Sequence, residues 1–414
     1  SLRKMIKINA ERLLGDLYEL RKIGAFKTGV HRPTLSEDDM ISRRWLCEKL
    51  EAFGHTAEID GIANVIGRAP GDGPHVLAGS HIESQNEAGW LDGALGVIYA
   101  LEAARAVHEA GAFPGQGVDV IAFSDEEGHF GNFFGSYSFL GELSEETIDT
   151  ASDRTRGMLL REALAKAGLA GRPRRLIEPG RYCAFLEAHI EQGDWLEAND
   201  LSVGVVTSIV AIWQYRIVFE GTQNHAGTTR MAIRRDAGVA LTELCHRIKE
   251  TFPDVAGERS VWTTGRITLG PGAPSIIPGH AEMLFQFRDA EVETLERMQA
   301  HLKRLVAESN EVGPCSARLE VISRATPAVM DAGIQAAIEK AAGELVPGKH
   351  TRMPSGAGHD AQNLARHLPS GMLFVPSIGG ISHHWTENTS DEDIIAGGRV
   401  YAAAVGELLE AAKR

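Results

Sequence analysis

Apolar and polar residues recur along the N-terminal part of the chain with the period of helices. Residues 5–26 carry apolar side chains close to every 3.6 positions, which predicts an amphipathic helix that ends near Gly24. Ser36, with Asp39 three residues later, predicts a capped start for a second helix, and Gly54 predicts its end. The chain is therefore expected to begin with two surface helices.

Beyond these helices, short apolar runs alternate with helical patterns. Such alternation is typical of βα crossovers and predicts a largely parallel sheet, whose ligands gather at the carboxyl ends of the strands. The pattern stops in the middle of the chain and later resumes. Its predicted elements are a strand at 76–78, a helix from Gly93 to about Ala110, a strand at 118–123, a helix at 333–345, a strand at 372–375 and a final helix from Asp391.

The interruption has its own order of strand, helix, strand, strand, helix and strand. These elements are predicted at 215–221, 232–252, 261–269, 275–289, 291–310 and 317–323. This is the split βαβ order of a small ferredoxin-like domain. The sequence therefore predicts an α/β fold in which a mostly parallel-sheet domain of residues 1–209 and 327–414 contains an inserted, smaller α+β domain of residues 210–326.

Histidines and carboxylates stand where the apolar runs of the larger domain end. Three of the carboxylates are consecutive, and such groups repel one another unless a positive charge lies among them. Histidine nitrogens and carboxylate oxygens together suit zinc and related transition metals, so the pattern predicts a metal site. The residues concerned are His81, Asp92, Asp125, Glu126, Glu127, His189, His383 and His384.

Bulk composition narrows the possible partners and the compartment. The 414 residues carry a formal net charge of −14, which argues against binding a nucleic-acid backbone. No apolar run reaches the roughly 18 residues that span a bilayer, and the basic start lacks the apolar core of a signal peptide, so a cytoplasmic protein is expected. The cysteines, which lack CxxC spacing, are expected to be reduced core thiols; they are Cys47, Cys183, Cys245 and Cys315.

Several motifs together resemble a known family. GSHIESQNEAGWLDGALGV, FSDEEG, EAHIEQG, NHAGTT with RMAIRRDA, IIPG with FRD, SGAGHDA and GISHH are similar, in order and spacing, to the carbamoylase and allantoate amidohydrolase branch of the dinuclear metal-dependent, M20-like amidohydrolases and peptidases. The resemblance covers nearly the whole chain. It implies a catalytic larger domain with two divalent ions, Zn²⁺ or Mn²⁺ with Co²⁺ or Ni²⁺ as alternatives, and an inserted lid that carries a homodimer contact.

The resemblance implies five metal ligands. Asp92 would bridge two ions about 3.5–4 Å apart, which together lower the pKa of a shared water and polarise the substrate carbonyl. His384 is a rival for the last ligand, because adjacent histidines cannot be separated by sequence alone. The ligands are His81, Asp92 and His189 for one ion and Asp92, Glu127 and His383 for the other.

The resemblance also implies roles for two glutamates that are close to these ligands in the sequence. Glu126 matches the general base that takes the proton of the metal-activated water and delivers it to the leaving nitrogen. Glu83 stands where the family usually has an aspartate that orients His81, and its extra methylene could shift that support or alter the metal position. His129 and His280 lie outside the matched motifs and are predicted to be ordinary surface or loop histidines.

The resemblance implies substrate contacts mainly from the second half of the chain. His225 in NHAGTT would cross the dimer and stabilise the oxyanion. Arg288 would pair with a substrate carboxylate through its bidentate guanidinium. Ser275 replaces the asparagine that the family has before the IPG turn, which removes one amide donor. The remaining substrate contacts would come from Gln192, Gly356 and Gly358.

These residues predict the hydrolysis of a non-peptide C–N bond, ureido or amide, in a small carboxylate-bearing compound such as an N-carbamoyl amino acid or allantoate. An aminoacylase, dipeptidase or aminopeptidase of the same clan is the alternative, and HIEQG, NHAGTT and SGAGHDA favour the first. A non-catalytic scaffold with this fold is a third possibility, against which Glu126 and the five ligands argue. Neither a nucleic acid nor a membrane is an expected partner.

Overall fold

The computed structural model describes residues 6–413. Its strands are β1 (Ala25–Phe26), β2 (Gly29–Val30), β3 (Thr56–Ile59), β4 (Val65–Arg68), β5 (His75–His81), β6 (Val118–Phe123), β7 (Tyr182–Ile190), β8 (Val203–Ile209), β9 (Ala211–Glu220), β10 (Asn224–His225), β11 (Val261–Gly270), β12 (Ile276–Ile277), β13 (His280–Asp289), β14 (Ser316–Arg324), β15 (Ala328–Val329), β16 (His350–Ser355) and β17 (Ser370–Val375). Its α-helices are α1 (Ala10–Arg21), α2 (Glu37–Glu51), α3 (Ala94–Ala110), α4 (Phe134–Phe139), α5 (Glu145–Thr150), α6 (Leu160–Lys166), α7 (Trp195–Ala198), α8 (Ala237–Thr251), α9 (Val292–Val312), α10 (Ala332–Leu345), α11 (Asp360–Leu364) and α12 (Asp391–Ala412).

The chain divides into two compact units. The first runs through Thr207 and resumes at Val329, and the second is Ser208–Ala328. The sequence places the corresponding boundaries at residues 210 and 326. Among residues 6–413, no helix combines the length and the apolar character that a membrane crossing requires.

The first unit is built on a mixed sheet in the strand order β15-β8-β17-β7-β5-β6-β4-β3, with β16 paired to β8. Its four central strands, β17, β7, β5 and β6, are parallel. The strands β8, β4 and β3 add antiparallel neighbours on either side. Because parallel strands end at one edge, the residues that follow β5, β6 and β7 are brought together there. The expected α/β class with a parallel centre is confirmed.

Helix α3 explains how this edge is held. It is buried from Ala94 to Val107, which accounts for its nearly continuous apolar sequence. Gly96 lets the helix approach β7 closely, since a Cβ there would lie 2.2 Å from the carbonyl oxygen of Ala188. The loop before α3, which contains Asp92, is thereby placed beside the end of β7.

The second unit is an antiparallel sheet in the order β11-β13-β9-β14, with α8 and α9 packed against it. Burial alternates residue by residue along β13, as it does when one sheet face packs on helices. A core of aromatic and aliphatic side chains fills that layer, including Phe219, Phe252, Phe285 and Phe287. The βαββαβ order expected for an inserted ferredoxin-like domain is present.

Several predicted helix boundaries are wrong. The helix predicted at 5–26 is α1, Ala10–Arg21; its expected start lies outside the described residues, and Asn9 caps the helix by accepting the N–H of Arg12. The helix predicted at 232–252 begins only at Ala237. Asp236 caps it by accepting the N–H groups of Gly238 and Val239.

The four cysteines are free, as expected from their spacing. Only Cys315 is fully buried, so the expectation of core thiols holds fully for that residue alone. Burial raises the pKa of the Cys47 thiol to about 11. A thiol with a raised pKa is protonated near neutral pH and is a weak nucleophile.

Candidate metal centre

Two buried imidazoles face the same space at the carboxyl edge of the large sheet. His81 is the last residue of β5, and His189 lies one residue before the end of β7. The Nδ1 atom of His81 is 3.0 Å from the carbonyl oxygen of Glu83, and that of His189 is 2.8 Å from the carbonyl oxygen of Ile190. Since a carbonyl only accepts, Nδ1 carries the proton when the ring is neutral, and the lone pair of Nε2 faces the shared space. Nε2 of His81 has no hydrogen-bond partner, whereas Nε2 of His189 accepts the N–H of Gly93 at 3.2 Å.

Asp92 lies between these imidazoles and a third one. Its Oδ1 atom is 3.2 Å from Nε2 of both His81 and His189, and its Oδ2 atom is 3.1 Å from Nε2 of His383. The His383 Nε2 atom is also 3.4 Å from Oε2 of Glu127. Two atoms bound about 2.0–2.2 Å from one ion at roughly 90–110° lie about 3.0–3.5 Å apart. The observed separations are those of atoms that share a ligand shell.

The side chain of Glu126 also lies in this cluster. Its Oε2 atom is 3.2 Å from Nε2 of His81, as close as the nearer oxygen of Asp92. Burial raises the pKa of Glu126 well above its ordinary value; His81 opposes this rise and Glu127 adds to it. The geometry therefore permits Glu126 to act either on a proton or as a ligand.

Asp125 has a different position from the two glutamates that follow it. Its carboxylate accepts the N–H groups of His129, Phe130 and Gly131 at 2.8, 3.0 and 2.8 Å, and the hydroxyl of Thr34 at 2.8 Å. Its backbone is left-handed, with φ +54°. Asp125 thus holds the tight turn after β6, and only Glu126 and Glu127 reach the cluster.

The cluster meets a simple test for a missing cation. Buried polar atoms nearly always have partners. Among the described residues, the unpartnered buried side-chain atoms include Nε2 of His81, Oδ1 of Asp92, Oε2 of Glu126 and Oε2 of Glu127. These atoms point into one space, so the donor set fits a divalent transition-metal ion with nitrogen and oxygen ligands.

Charge in the cluster leads to the same conclusion. Burial would raise the pKa of the Asp92 carboxyl, but the adjacent imidazoles of His189, His383 and His81 outweigh it and hold that pKa well below its usual range. The adjacent carboxylates of Asp92 and Glu127 raise the pKa of His383 to about 11. The carboxylates therefore attract cations strongly, and a metal ion would displace the imidazole protons.

Gly93 allows the tight approach of Asp92 to His81. Its φ is +74°, and a Cβ at this position would lie 2.4–2.5 Å from atoms of the His81 ring. Glycine adopts this conformation without strain, whereas any other residue would also displace the imidazole. The aspartate-glycine pair before α3 is thus required by the geometry of the cluster.

Glu387 is a supporting residue that the sequence analysis missed. Its Oε2 atom accepts the N–H groups of Leu91 and Asp92 at 3.3 and 3.1 Å, and its Oε1 atom accepts the Ser382 hydroxyl at 3.1 Å. Burial raises its pKa to about 8. One side chain thus joins the Asp92 loop to the loop of His383. In the sequence, the signal that could have identified Glu387 is its position four residues after His383.

The two adjacent histidines have different surroundings. His383 has left-handed backbone, with φ +56°, and its Nε2 atom faces Asp92 and Glu127. The Nδ1 atom of His384 instead lies 2.7 Å from the hydroxyl of Thr386. The geometry brings His383 to the cluster.

Glu83 is completely buried, and its contacts differ from those expected. Its backbone carbonyl, rather than its carboxylate, is the nearest acceptor for His81 Nδ1, since Oε1 lies 3.6 Å from that nitrogen. Oε1 accepts the N–H of Glu127 at 3.3 Å, and Oε2 accepts from Arg43 at 3.2 Å. Arg43 cannot be recognised from the sequence, because nothing in its local pattern connects it with the motif.

Gln192 is engaged within the cluster. Its Nε2 atom donates to Oδ2 of Asp92 at 3.1 Å and to the Ser382 hydroxyl at 2.9 Å. Gly356 and Gly358 lie in the loop between β16 and α11. A Cβ at Gly358 would lie 3.2 Å from the ring of Phe133, whereas Gly356 has no neighbour within 4 Å of such an atom.

His225 and Ser275 are adjacent in the second unit. The short strands β10 and β12 pair His225 with Ile276, and the N–H of Ala226 donates to the carbonyl of Ser275 at 2.9 Å. The Nδ1 atom of His225 accepts the N–H groups of Gly227 and Thr228 at 2.9 and 3.2 Å. Because Nδ1 accepts, the ring proton is on Nε2, which leaves an exposed N–H donor.

Arg288 lies near the end of β13 in the same unit. Its Nε atom donates to Oε1 of Gln286 at 2.9 Å. Burial lowers its pKa. Residues that are two apart on a strand share one face, so Arg288 and Gln286 belong to the face opposite the buried, alternate residues.

His129 and His280, predicted to be ordinary surface or loop histidines, make their contacts outside the cluster. His129 is in a loop but is buried, and its Nε2 atom lies 2.8 Å from the carbonyl oxygen of Ser84. His280 begins β13 and lies 2.9 Å from Glu220. His359, to which the sequence assigns no role, is buried with its ring centre 4.6 Å from that of His189.

With this geometry in place, comparison with known proteins identifies the family. Residues 71–407 match the model of peptidase family M20/M25/M40. The chain is 32% identical to an N-carbamoyl-L-amino-acid amidohydrolase of Paenarthrobacter aurescens, over 95% of this chain and 97% of that protein. It is 31% identical to an allantoate amidohydrolase of Bacillus subtilis, over 95% and 96%.

A solved structure adds agreement in fold. The crystal structure of an amidase of the hydantoinase/carbamoylase family from Burkholderia phymatum is similar to this chain with a TM-score of 0.91 and 45% identity, over 98% of each chain. The chain therefore belongs to peptidase family M20/M25/M40 and, within it, to the branch of N-carbamoyl-L-amino acid and allantoate amidohydrolases, which makes it a hydrolase of non-peptide C–N bonds.

Proposed function

We propose that the protein hydrolyses the ureido or amide C–N bond of a small carboxylate-bearing substrate, such as an N-carbamoyl amino acid or allantoate, with two divalent metal ions. The observation that carries this proposal is the set of unpartnered buried nitrogen and oxygen atoms that converge on Asp92. One ion would be held by His81, Asp92 and His189, and the other by Asp92, Glu127 and His383. Zn²⁺ or Mn²⁺ suits this donor set, and Co²⁺ or Ni²⁺ suits it as well.

Glu126 is proposed as the general base. Bound ions would polarise the substrate carbonyl and lower the pKa of the attacking water. The Oε2 atom of Glu126 would take the proton and return it to the leaving nitrogen, and the raised pKa of this carboxyl suits a group that must hold a proton between these steps. Gln192, which bonds to Asp92, would fix the orientation of that carboxylate.

His225 is proposed to stabilise the oxyanion of the tetrahedral intermediate from the partner chain of a homodimer. Its ring presents an exposed Nε2–H, the kind of donor this task requires. A dimer contact on the inserted unit is supported by β11, an edge strand with exposed apolar side chains. Its residues Val261, Ile267 and Leu269 are 54%, 47% and 40% exposed.

Arg288 is proposed to bind the substrate carboxylate. Arg288→Ala is expected to lower kcat/KM for carboxylate substrates roughly 10- to 100-fold, since a hydrogen bond to a charged group contributes about 1.5–3 kcal/mol. Arg288→Lys should recover only part of this loss, because the bidentate fork is gone. Kinetics on a carboxylate substrate and on its neutral amide form measure the effect.

Arg216 provides a matched control for that experiment. It belongs to β9 of the same sheet, opposite Leu284, and it pairs with Glu282 and Glu320 at 3.4 and 3.3 Å. Arg216→Ala should leave the preference for carboxylates intact. An equal loss on the acid and amide forms in Arg288→Ala would contradict the assignment.

A substrate screen tests the proposed function. The purified protein, freed of metal and reloaded separately with Zn²⁺, Mn²⁺, Co²⁺ or Ni²⁺, is assayed with N-carbamoyl amino acids of both configurations, allantoate, ureidoglycolate, N-acyl amino acids and dipeptides. We expect metal-dependent turnover of at least one ureido acid, with much lower activity on dipeptides. Preferential cleavage of dipeptides or N-acyl amino acids would instead support the aminopeptidase, dipeptidase or aminoacylase alternative.

A further inference from the structure

Arg43 is a fully buried arginine on α2, and its guanidinium contacts its own helix and three other parts of the first unit. Its Nε atom donates to both oxygens of Asp39 at 3.1 Å, within the same helix. Its Nη1 atom donates to the carbonyl of Ala63 at 2.6 Å and to that of Ala122 in β6 at 3.3 Å. Its Nη2 atom donates to Oε2 of Glu83 at 3.2 Å.

Glu83 continues this chain of contacts to the metal cluster in two directions. Its Oε1 atom accepts the N–H of Glu127, which follows β6. Its backbone carbonyl lies against Nδ1 of His81, which ends β5. Both Glu83 and Arg43 are 0% exposed, so water does not compete for these hydrogen bonds.

We propose that Arg43 is a positioning residue for the metal centre, which acts through Glu83 and the Ala122 carbonyl to fix the end of β5 against the end of β6. These two ends carry His81 and Glu127, which face different ions of the proposed pair. Arg43 therefore sets the spacing between a ligand of one ion and a ligand of the other. The inference rests on the proposed metal site and adds to it a residue outside all the recognised motifs.

The length of the Glu83 side chain makes its contact with Arg43 possible. An aspartate two residues after His81 would be shorter by one methylene, whereas the glutamate carboxylate at this position reaches both the Glu127 N–H and the guanidinium. A buried carboxylate needs such a partner, because removing one member of a buried ion pair leaves an uncompensated charge. In this chain, Glu83 and Arg43 are expected to depend on each other.

Metal affinity tests this role directly, with a readout other than turnover. Metal-free wild-type and Arg43→Lys proteins are titrated with Zn²⁺ in competition with a chromophoric chelator. Lysine keeps the positive charge, so the variant should fold, but one ammonium cannot serve Glu83, Asp39 and two carbonyls in the same geometry. We expect affinity for at least one ion to fall about 10- to 100-fold, as it does when groups that orient ligands are lost.

A double-mutant cycle separates positioning from general stability. If Arg43 acts through Glu83, the Arg43→Met and Glu83→Gln changes together should weaken Zn²⁺ binding no more than the more damaging of the two alone. The control is Arg105→Met, which removes another buried arginine that bonds to Asp16 and Glu102. It should lower the melting temperature and leave Zn²⁺ affinity unchanged.

The possible results separate a failure of the proposed metal site from a failure of the role proposed for Arg43. If wild-type protein binds no Zn²⁺, the proposed metal site fails and the inference fails with it. If wild-type protein binds two ions and Arg43→Lys binds them equally tightly, only the inference is overturned. Additive losses in the double variant would likewise overturn it, because Arg43 would then act independently of Glu83.

Discussion

Glu126→Gln is expected to lower kcat roughly 10²- to 10⁴-fold while both metal ions remain bound, since the amide keeps the shape of the side chain and cannot accept the proton. Turnover is measured on the best substrate of the screen, and metal content by elemental analysis of the same sample. The loss should appear in kcat rather than in KM, because substrate binding uses other groups.

The metal measurement decides between two roles that the geometry leaves open to Glu126. Its Oε2 atom is as close to His81 Nε2 as the oxygen of Asp92 is, so a ligand role would also place it there. Glu127→Gln is the matched control at the next position and should lose at least one ion. Near-native turnover of metal-loaded Glu126→Gln would contradict the base assignment, and loss of metal from it would make Glu126 a ligand.

A mixture of two inactive variants is expected to regain activity. His225→Ala should lose about 10²- to 10³-fold in kcat, as for other oxyanion donors. Mixed with Glu126→Gln under conditions of subunit exchange, it forms heterodimers in which one site has Glu126 on its own chain and His225 from the partner. At equal amounts and free exchange, about a quarter of wild-type activity should return.

Subunit exchange must be shown independently, for example by native mass spectrometry of chains with different tags. A suitable control mixes Glu126→Gln with Glu127→Gln. Each change affects the cluster of its own chain, so every site of every dimer carries one of the two changes and no activity should return. Exchange without recovery in the His225 mixture would mean that His225 acts within its own chain or has no catalytic role.

The sequence predicted those parts of the fold that depend on periodicity. Helix α2 begins where Ser36 and Asp39 indicate, and α3 begins directly after Gly93. The predicted start of α8 is wrong because a cap overrides the apolar pattern. Asp236 caps the helix, which begins at Ala237 although apolar and small residues precede it. Within α8, Val239 lies two residues before the buried Leu241, about 200° away around the helix, and is 51% exposed.

The sequence was less informative about the groups that support the candidate site. Motif spacing identified the residues that converge on Asp92. It gave no sign that Arg43 contacts Glu83 or that Glu387 holds the Asp92 loop, because these contacts join positions 40 and 295 residues apart. It also grouped Asp125 with its neighbours, although a left-handed turn directs that carboxylate elsewhere. Such contacts depend on tertiary packing, which local patterns do not encode.

We propose that Asp92 would bridge two metal ions, and anomalous X-ray scattering from a metal-loaded crystal is the most direct test of that proposal. Data collected above and below the Zn²⁺ edge should give two peaks per chain, about 3.5–4 Å apart as in other two-metal sites. One peak should lie among His81, Asp92 and His189, and the other among Asp92, Glu127 and His383. A fully loaded crystal with no anomalous peak beside Asp92, or with peaks only at other positions, would contradict the account.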